Sequence, residues 1–161
     1  MNAVRTPSMP PVGGFVSQRW ESHTARLANR RPRPSVTVIT ARGHIDASNA
    51  DALTEYILGH LTSCRGLIID LRSLDFFGTE GFSALHRVSV CCAHPGIAWA
   101  VVPSEAVSRV LRIGDPQGLL PAASNVEAAM ALIQSRPHRP ALPSQVAEKP
   151  DKPRGGNARC A

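Results

Sequence analysis

At residues 76–81 the chain reads Phe-Phe-Gly-Thr-Glu-Gly. An apolar run ends, a glycine interrupts it, and a hydroxyl residue, Thr79, opens an apolar-spaced segment. A hydroxyl at such a junction suits two chemistries. It can accept a backbone N–H bond as a helix cap, worth about 1 kcal/mol. It can also stand exposed where the positive end of a helix dipole tolerates an added anion. Glu80 puts a carboxylate in the same first turn, favourable to the dipole but repulsive to a second anion beside it.

Other reactive groups are scattered. Asp46 follows Gly43-His44-Ile45 and precedes a helical pattern, which suits a turn-forming or capping acid. His44 fits a half-exposed strand position. Cys91 and Cys92 fall near the end of the segment that Thr79 opens. Their plainer reading is as buried small hydrophobes. Acting as redox thiols would require exposure, a low pKa and a reachable partner. Asp70 and Asp75 read as strand-end and loop acids. Catalytic signatures fail: Gly-Phe-Ser-Ala-Leu at 81–85 lacks the closing glycine of a nucleophile elbow, and no GxxxxGK[ST], HExxH or GxGxxG occurs. The four cysteines form no CxxC pair and fit no zinc spacing. The expectation is a binding module rather than an enzyme, with no cofactor and no metal of its own.

The elements that must position these groups follow from periodicity. WESHTARLA (20–28) fits a first edge strand and NRRPRP (29–34) a loop; SVTVITARG (35–43) is β-branched and reads as a strand. SNADALTEYILGHL (48–61) has helical spacing, with Ser48 or Asn49 as cap. GLIIDL (66–71) reads as a strand covered on both faces. A helix from Thr79 to Cys92 should turn Phe82, Leu85, Val88 and Val90 or Cys92 inward. IAWAVVP (97–103), with Trp99 in the core, is a strand stopped by Pro103. SEAVSRVLRIG (104–114) is a helix capped by Ser104 and ended by Gly114; LLPAAS (119–124) is a short strand; 125–135 is a last helix capped by Asn125 or Ser124. Strands alternating with helices imply an α/β layer with parallel pairings.

The 161 residues carry a net charge of +6. Residues 1–34 hold six arginines and one acid, residues 136–161 six Lys/Arg and two acids, and residues 35–135 six arginines and nine acids. Read this way, the basic character belongs to the ends, and the centre offers a poor footprint for nucleic acid. Both ends are rich in proline and basic residues, so disordered tails are expected at 1–18 and 136–161 around a domain at 19–135. No apolar stretch approaches the roughly 18 residues of a membrane span, and none near the start has signal-peptide length. Reduced thiols in a cytoplasm are the expected setting.

Three blocks then meet a known pattern: GHID at 43–46, GLIIDLRSLDFFGTEGFSAL from 66, and SEAVSRVLRIGDPQGLLPAASNVEAAMALI from 104. Over about residues 20 to 135 the chain resembles a STAS domain, as in bacterial anti-sigma factor antagonists. The resemblance implies an α/β fold of the STAS (SpoIIAA-like) type, a mixed central sheet with about four flanking helices. It implies binding to an anti-sigma factor of the serine/threonine kinase fold, which frees a sigma factor, with no direct nucleic-acid or membrane contact. It also implies that phosphorylation at the loop-to-helix junction switches binding off. In that loop the family usually has Asp-Ser-Ser/Thr-Gly. Here Gly78 stands where Asp is expected, Thr79 at the phosphorylated position, Glu80 in place of a second hydroxyl, and Gly81 matches. The implied partner surface comprises Asp46, Ser48, Gly78, Thr79, Glu80, Gly81 and Phe82. Two alternatives stand beside it: a STAS sensor or scaffold that binds a nucleotide or other small ligand without phospho-regulation, and a thiol switch at Cys91 and Cys92.

Overall fold

The β-branched runs pair into one five-stranded sheet in the computed structural model, which describes residues 18–136. All but Gln18 and Arg136 of the expected tails lie outside the described residues. Strand β1 (Arg19–Glu21) pairs antiparallel with β2 (Ala25–Arg33), and β2 antiparallel with β3 (Val36–Ile45). Strands β3 and β4 (Gly66–Phe77) are parallel, as are β4 and β5 (Ala98–Val102), so spatial order follows chain order. Helices α1 (Ala50–Leu61), α2 (Thr79–Ala93), α3 (Glu105–Gly114) and α4 (Val126–Ser135) cover it.

The near-continuous apolar runs have a direct cause: the parallel strands are covered on both faces. Ile39, Leu67, Ile69 and Val101 are fully buried against α1, α2 and α3, while Val38, Ile68, Ala100 and Val102 pack under α4. Burial of each such side chain is worth about 1.5–3 kcal/mol. The Ser104 hydroxyl accepts from Val107 N–H at 3.3 Å, and the Asn125 side chain accepts from Ala128 N–H at 2.7 Å, so both expected caps form, with Asn125 rather than Ser124 at the last helix.

Several expectations are corrected. The segment 20–28 is not one edge strand: a turn around Ser22–Thr24 splits it, with Ser22 Oγ accepting from Ala25 N–H at 3.0 Å. Asn29–Arg33 is not a loop but the outer half of β2. Pro32 sits where the β2–β3 register shifts, between Arg30 and Arg33, so its missing N–H breaks no ladder bond. The strand expected to stop at Leu71 continues to Phe77 through two register shifts against β3. The expected strand at 119–124 shrinks to a single parallel bridge between Val101 and Ala122, with Leu119 exposed. On α2, Cys92 faces inward and Val90 is 60% exposed. Gly114 is the last residue of α3, as expected, but without a left-handed conformation, and Asp115 is the C-cap. A Cβ at Gly114 would fall 2.9–3.1 Å from the Phe82 ring, so its small size makes room for α2 against α3.

Candidate partner-binding site

The parallel strands β3, β4 and β5 all end at one edge of the sheet, where the chain turns into α1, α2 and α3. Two of these junctions build the candidate site. His44 and Ile45 pair with Phe76 and Phe77, and Gly78 N–H donates to Ile45 O at 2.9 Å. This bond carries the strand pairing one step beyond the sheet and fastens the two loops together. Phe77 turns into the core while Phe76 points out, 50% exposed, with the His44 ring edge-on to it at 6.2 Å.

The GHID loop is held from three sides. Gly43 has φ +92°, and a Cβ there would meet Thr24 O at 2.2 Å, so only glycine fits. His44 N–H donates to that same Thr24 carbonyl at 2.8 Å. Asn49, buried at the N-cap of α1, makes no side-chain cap bond. Its oxygen accepts from Asp46 N–H at 3.0 Å, and its amide donates to His44 O at 2.9 Å and Thr24 Oγ1 at 3.1 Å. Asp46 Oδ1 accepts from the Ser48 backbone at 2.8 Å and the Ser48 hydroxyl at 2.5 Å. These two bonds hold the Asp46 carboxyl below its ordinary value, so it is charged at neutral pH. Asp46 is thus the turn-forming acid that its position suggested, with its charge displayed at the surface.

The other junction differs from expectation. Gly78, not Thr79, is the N-cap of α2, with extended φ −84° and ψ 175°. Thr79 is the first helical residue, so its hydroxyl cannot reach back as a cap. Among the described residues that hydroxyl makes no hydrogen bond; the Thr79 carbonyl accepts from Ser83 Oγ at 3.3 Å. Thr79 and Glu80 are both exposed. Gly81 is buried under Phe77: a Cβ there would lie 2.5–2.8 Å from three ring atoms. Phe82 is half-buried between the core and α3. Arg87 of α2 reaches Asp51 of α1 at 2.8 Å, joining the two helices behind the site.

The structure therefore brings Asp46, Ser48, Gly78, Thr79 and Glu80 to one surface, and assigns packing roles to Gly81 and Phe82. Cys91 and Cys92 lie at the far end of α2, roughly 18 Å from Thr79 at 1.5 Å rise per residue. The reading of both as buried is corrected for Cys91, which is exposed. Cys92 is buried, and burial, with Cys64 and Cys91 nearby, pushes its thiol up to about 12. Sequence reasoning missed Asn49 as the staple of the GHID loop, and Phe76. The signal for Phe76 was the adjacent Phe pair, since neighbours on a strand face opposite ways.

This arrangement can be set beside known proteins. A family model described as the STAS domain matches residues 28–129. The chain belongs to the STAS domain family. A curated relative, Osmosensory protein A of Mycobacterium tuberculosis, is 32% identical over 98 residues, which cover 58% of this chain and 62% of the relative's length. The STAS fold is also that of an anti-sigma factor antagonist from Mycobacterium paratuberculosis, at TM-score 0.61 and 21% identity over 69% of this chain and 95% of that one. The anti-sigma factor antagonist SpoIIAA in its unphosphorylated form aligns at TM-score 0.54 and 15% identity, over 63% of this chain and 91% of its own. Among the described residues, no helix is long and apolar enough to cross a membrane.

Proposed function

We propose that this STAS protein is an anti-sigma factor antagonist, a non-enzymatic regulator that docks a kinase-fold anti-sigma factor and so frees a sigma factor in the cytoplasm. The docking surface is Asp46, Ser48, Gly78, Thr79 and Glu80, with Gly81 and Phe82 holding its shape. One observation carries the reading: the Thr79 hydroxyl is exposed and unbonded among the described residues, on a rigid strand-to-helix corner. A kinase needs such a hydroxyl. The γ-phosphorus of ATP bonds to Thr79 Oγ1, its bond to ADP breaks, and the hydroxyl proton passes to a base of the kinase. ATP and Mg²⁺ belong to the partner. The product adds about −1.5 to −2 charge beside Glu80 and Asp46 without unfolding α2, because helix N-termini favour anions. The fold is kept and the docking surface is changed.

The relative's name, Osmosensory protein A, supports an osmosensory setting for this regulator. The test is phosphotransfer. The purified kinase-fold partner, supplied with ATP and Mg²⁺, should phosphorylate Thr79, as mapped by mass spectrometry, and the modified chain should leave the complex. Phosphate on another residue, or a complex that survives modification, would remove the switch from this account.

A second reading, a sensor that takes a small ligand, is favoured by one feature. A hollow of about 700 Å³ at the opposite end of the sheet is lined by Val36, Arg65, Gly66, Cys92, Ile97 and Ile133. A thermal-shift screen with nucleotides separates the readings, since a ligand held there raises the melting temperature without any partner.

A further inference from the structure

Strand alternation sorts the arginines. Trp20, Leu27, Ile39 and Ala41 face the core beneath α1, α2 and α3. Their strand neighbours face the other side: Arg19 and Glu21 on β1, Arg26, Ala28 and Arg30 on β2, Thr40 and Arg42 on β3. Asp70 and the guanidinium bonded to it, that of Arg72, lie on this side of β4. Helix α4 packs on β4 and β5 there, and Arg19, Arg26, Arg30, Arg42 and Arg72 are all exposed.

The register makes these arginines a cluster. Ala28 lies opposite both Arg19 and Thr40, and Arg26 lies opposite Arg42. A floor of small residues, Ala28 and Thr40, is therefore ringed by Arg19, Arg26, Arg30 and Arg42. Among the described residues, two acids of the strands share the face, each already paired, Glu21 with Arg26 at 2.7 Å and Asp70 with Arg72 at 2.9 Å, and Glu127 of α4 adds its charge near Arg72. Five arginines against these three acids leave +2 on this face. Like charges directly opposed across strands, as Arg26 and Arg42 are, cost stability.

Summing charge by region hid this face. Arg19, Arg26, Arg30, Arg31 and Arg33 were counted with an N-terminal tail but lie in β1 and β2. Residues 18–136 hold twelve arginines and ten acids, a net of +2 rather than a deficit.

We propose that this open sheet face binds the phosphate backbone of duplex nucleic acid. Its chemistry selects among anionic partners. Protein interfaces have an apolar, aromatic-rich centre, whereas the centre here is Ala28 and Thr40. Peripheral membrane binding gains from apolar side chains that insert; of the large exposed hydrophobics, Val90, Ile113 and Leu119 lie on other elements, and Phe76 lies at the far end of β4, beside His44 and beyond Arg42. Single strands are held by aromatic stacking, and among the described residues no aromatic side chain stands between Arg19, Arg26, Arg30 and Arg42; His44 and Phe76 lie beyond Arg42, at one end. What remains is a polar, net positive surface whose cations are all arginines, which bind phosphate in a bidentate fork. From Arg26 to Arg30 it extends about 13 Å, the span of about four phosphates along one DNA strand.

The test is the salt dependence of binding by the full chain to a fluorescently labelled 20-base-pair DNA duplex, read by anisotropy. Wild type is compared with Arg30→Gln/Arg42→Gln. Each lost phosphate contact should flatten the plot of log K against log salt by about 0.9, so the double variant should be about 1.8 shallower. Between about 50 and 200 mM salt, wild type should then lose roughly tenfold more affinity than the variant. The basic ends are common to both proteins and cancel in this difference. Arg42→Gln removes the Arg26–Arg42 opposition, so folding should survive; Arg19→Gln/Arg30→Gln serves if it does not. Equal slopes would overturn the proposal, because binding would then lie elsewhere on the chain. So would a chain that ignores the duplex at 50 mM salt but binds anionic phospholipid vesicles or an acidic peptide.

Discussion

Replacing Gly81 by alanine should destabilise this protein, although alanine is the better helix former. The added Cβ would sit 2.5, 2.7 and 2.8 Å from Cε2, Cζ and Cδ2 of Phe77. Real Cβ contacts do not come that close, so either the ring or the helix must move. Phe77 is only 4% exposed and belongs to the main core, so the ring has little room to yield. Overpacking of this kind costs about 1–3 kcal/mol, and the gain in helix propensity returns at most about 1. The net expectation is a loss of about 1–2 kcal/mol, a fall in Tm of roughly 3–10 °C for a domain of this size. Thermal unfolding followed by circular dichroism measures it. A double-mutant cycle with Phe77→Leu should give a coupling above about 0.5 kcal/mol, since a smaller side chain relieves the clash. A Gly81→Ala protein as stable as wild type, or additive with Phe77→Leu, would refute the claim that this glycine exists to seat the ring.

Gly59 is the contrasting case: it is exposed in α1 with nothing within 4 Å of an added methyl, so Gly59→Ala should stabilise by about 0.5–1 kcal/mol in the same assay. Burial raises the Asp70 carboxyl, but the bonds and charge of Arg72, with the charge of Arg30, outweigh it and leave it below its ordinary 3.8. A depressed carboxyl adds stability above its unfolded pKa and loses it as pH falls through the folded one. The advantage of wild type over Asp70→Asn in denaturant melts should therefore be full at pH 5–8 and shrink below about pH 4. In the native protein at pH 7.5, a thiol-alkylating reagent should modify Cys91 and spare Cys64 and Cys92, as read by peptide mass mapping; equal labelling of all three would contradict their burial.

Sequence patterns carried the parallel core well, because burial on both faces leaves apolar runs that little else produces. The helices were legible from their spacing and from Ser104 and Asn125. The antiparallel edge was not. Asn29–Arg33 carries three arginines and a proline, which reads as a loop, yet an edge strand tolerates proline at a register shift and turns its charges outward. The second half of β4 was hidden for a related reason. Register shifts there leave Leu71, Leu74 and Phe77 buried at intervals of three, so strict alternation fails. The candidate site was legible as two motifs but not as a joined surface. The Gly78–Ile45 bond, the Asn49 staple and the demotion of Thr79 from cap to first helical residue depend on how two strands end side by side. That is set by tertiary register rather than by local sequence.

The central claim is that the charge at Thr79 decides partner binding. The most direct measurement is calorimetric titration of the purified kinase-fold partner with wild type, Thr79→Ala and Thr79→Glu. Thr79 caps nothing, so Thr79→Ala should keep its stability within about 0.5 kcal/mol and its affinity within about threefold of wild type. Thr79→Glu places an unpaired charge beside Glu80 in the interface, where such juxtapositions cost enough to weaken binding at least about tenfold. If Thr79→Glu binds as tightly as Thr79→Ala, Thr79 is simply the first residue of α2, and the phospho-switch account is wrong.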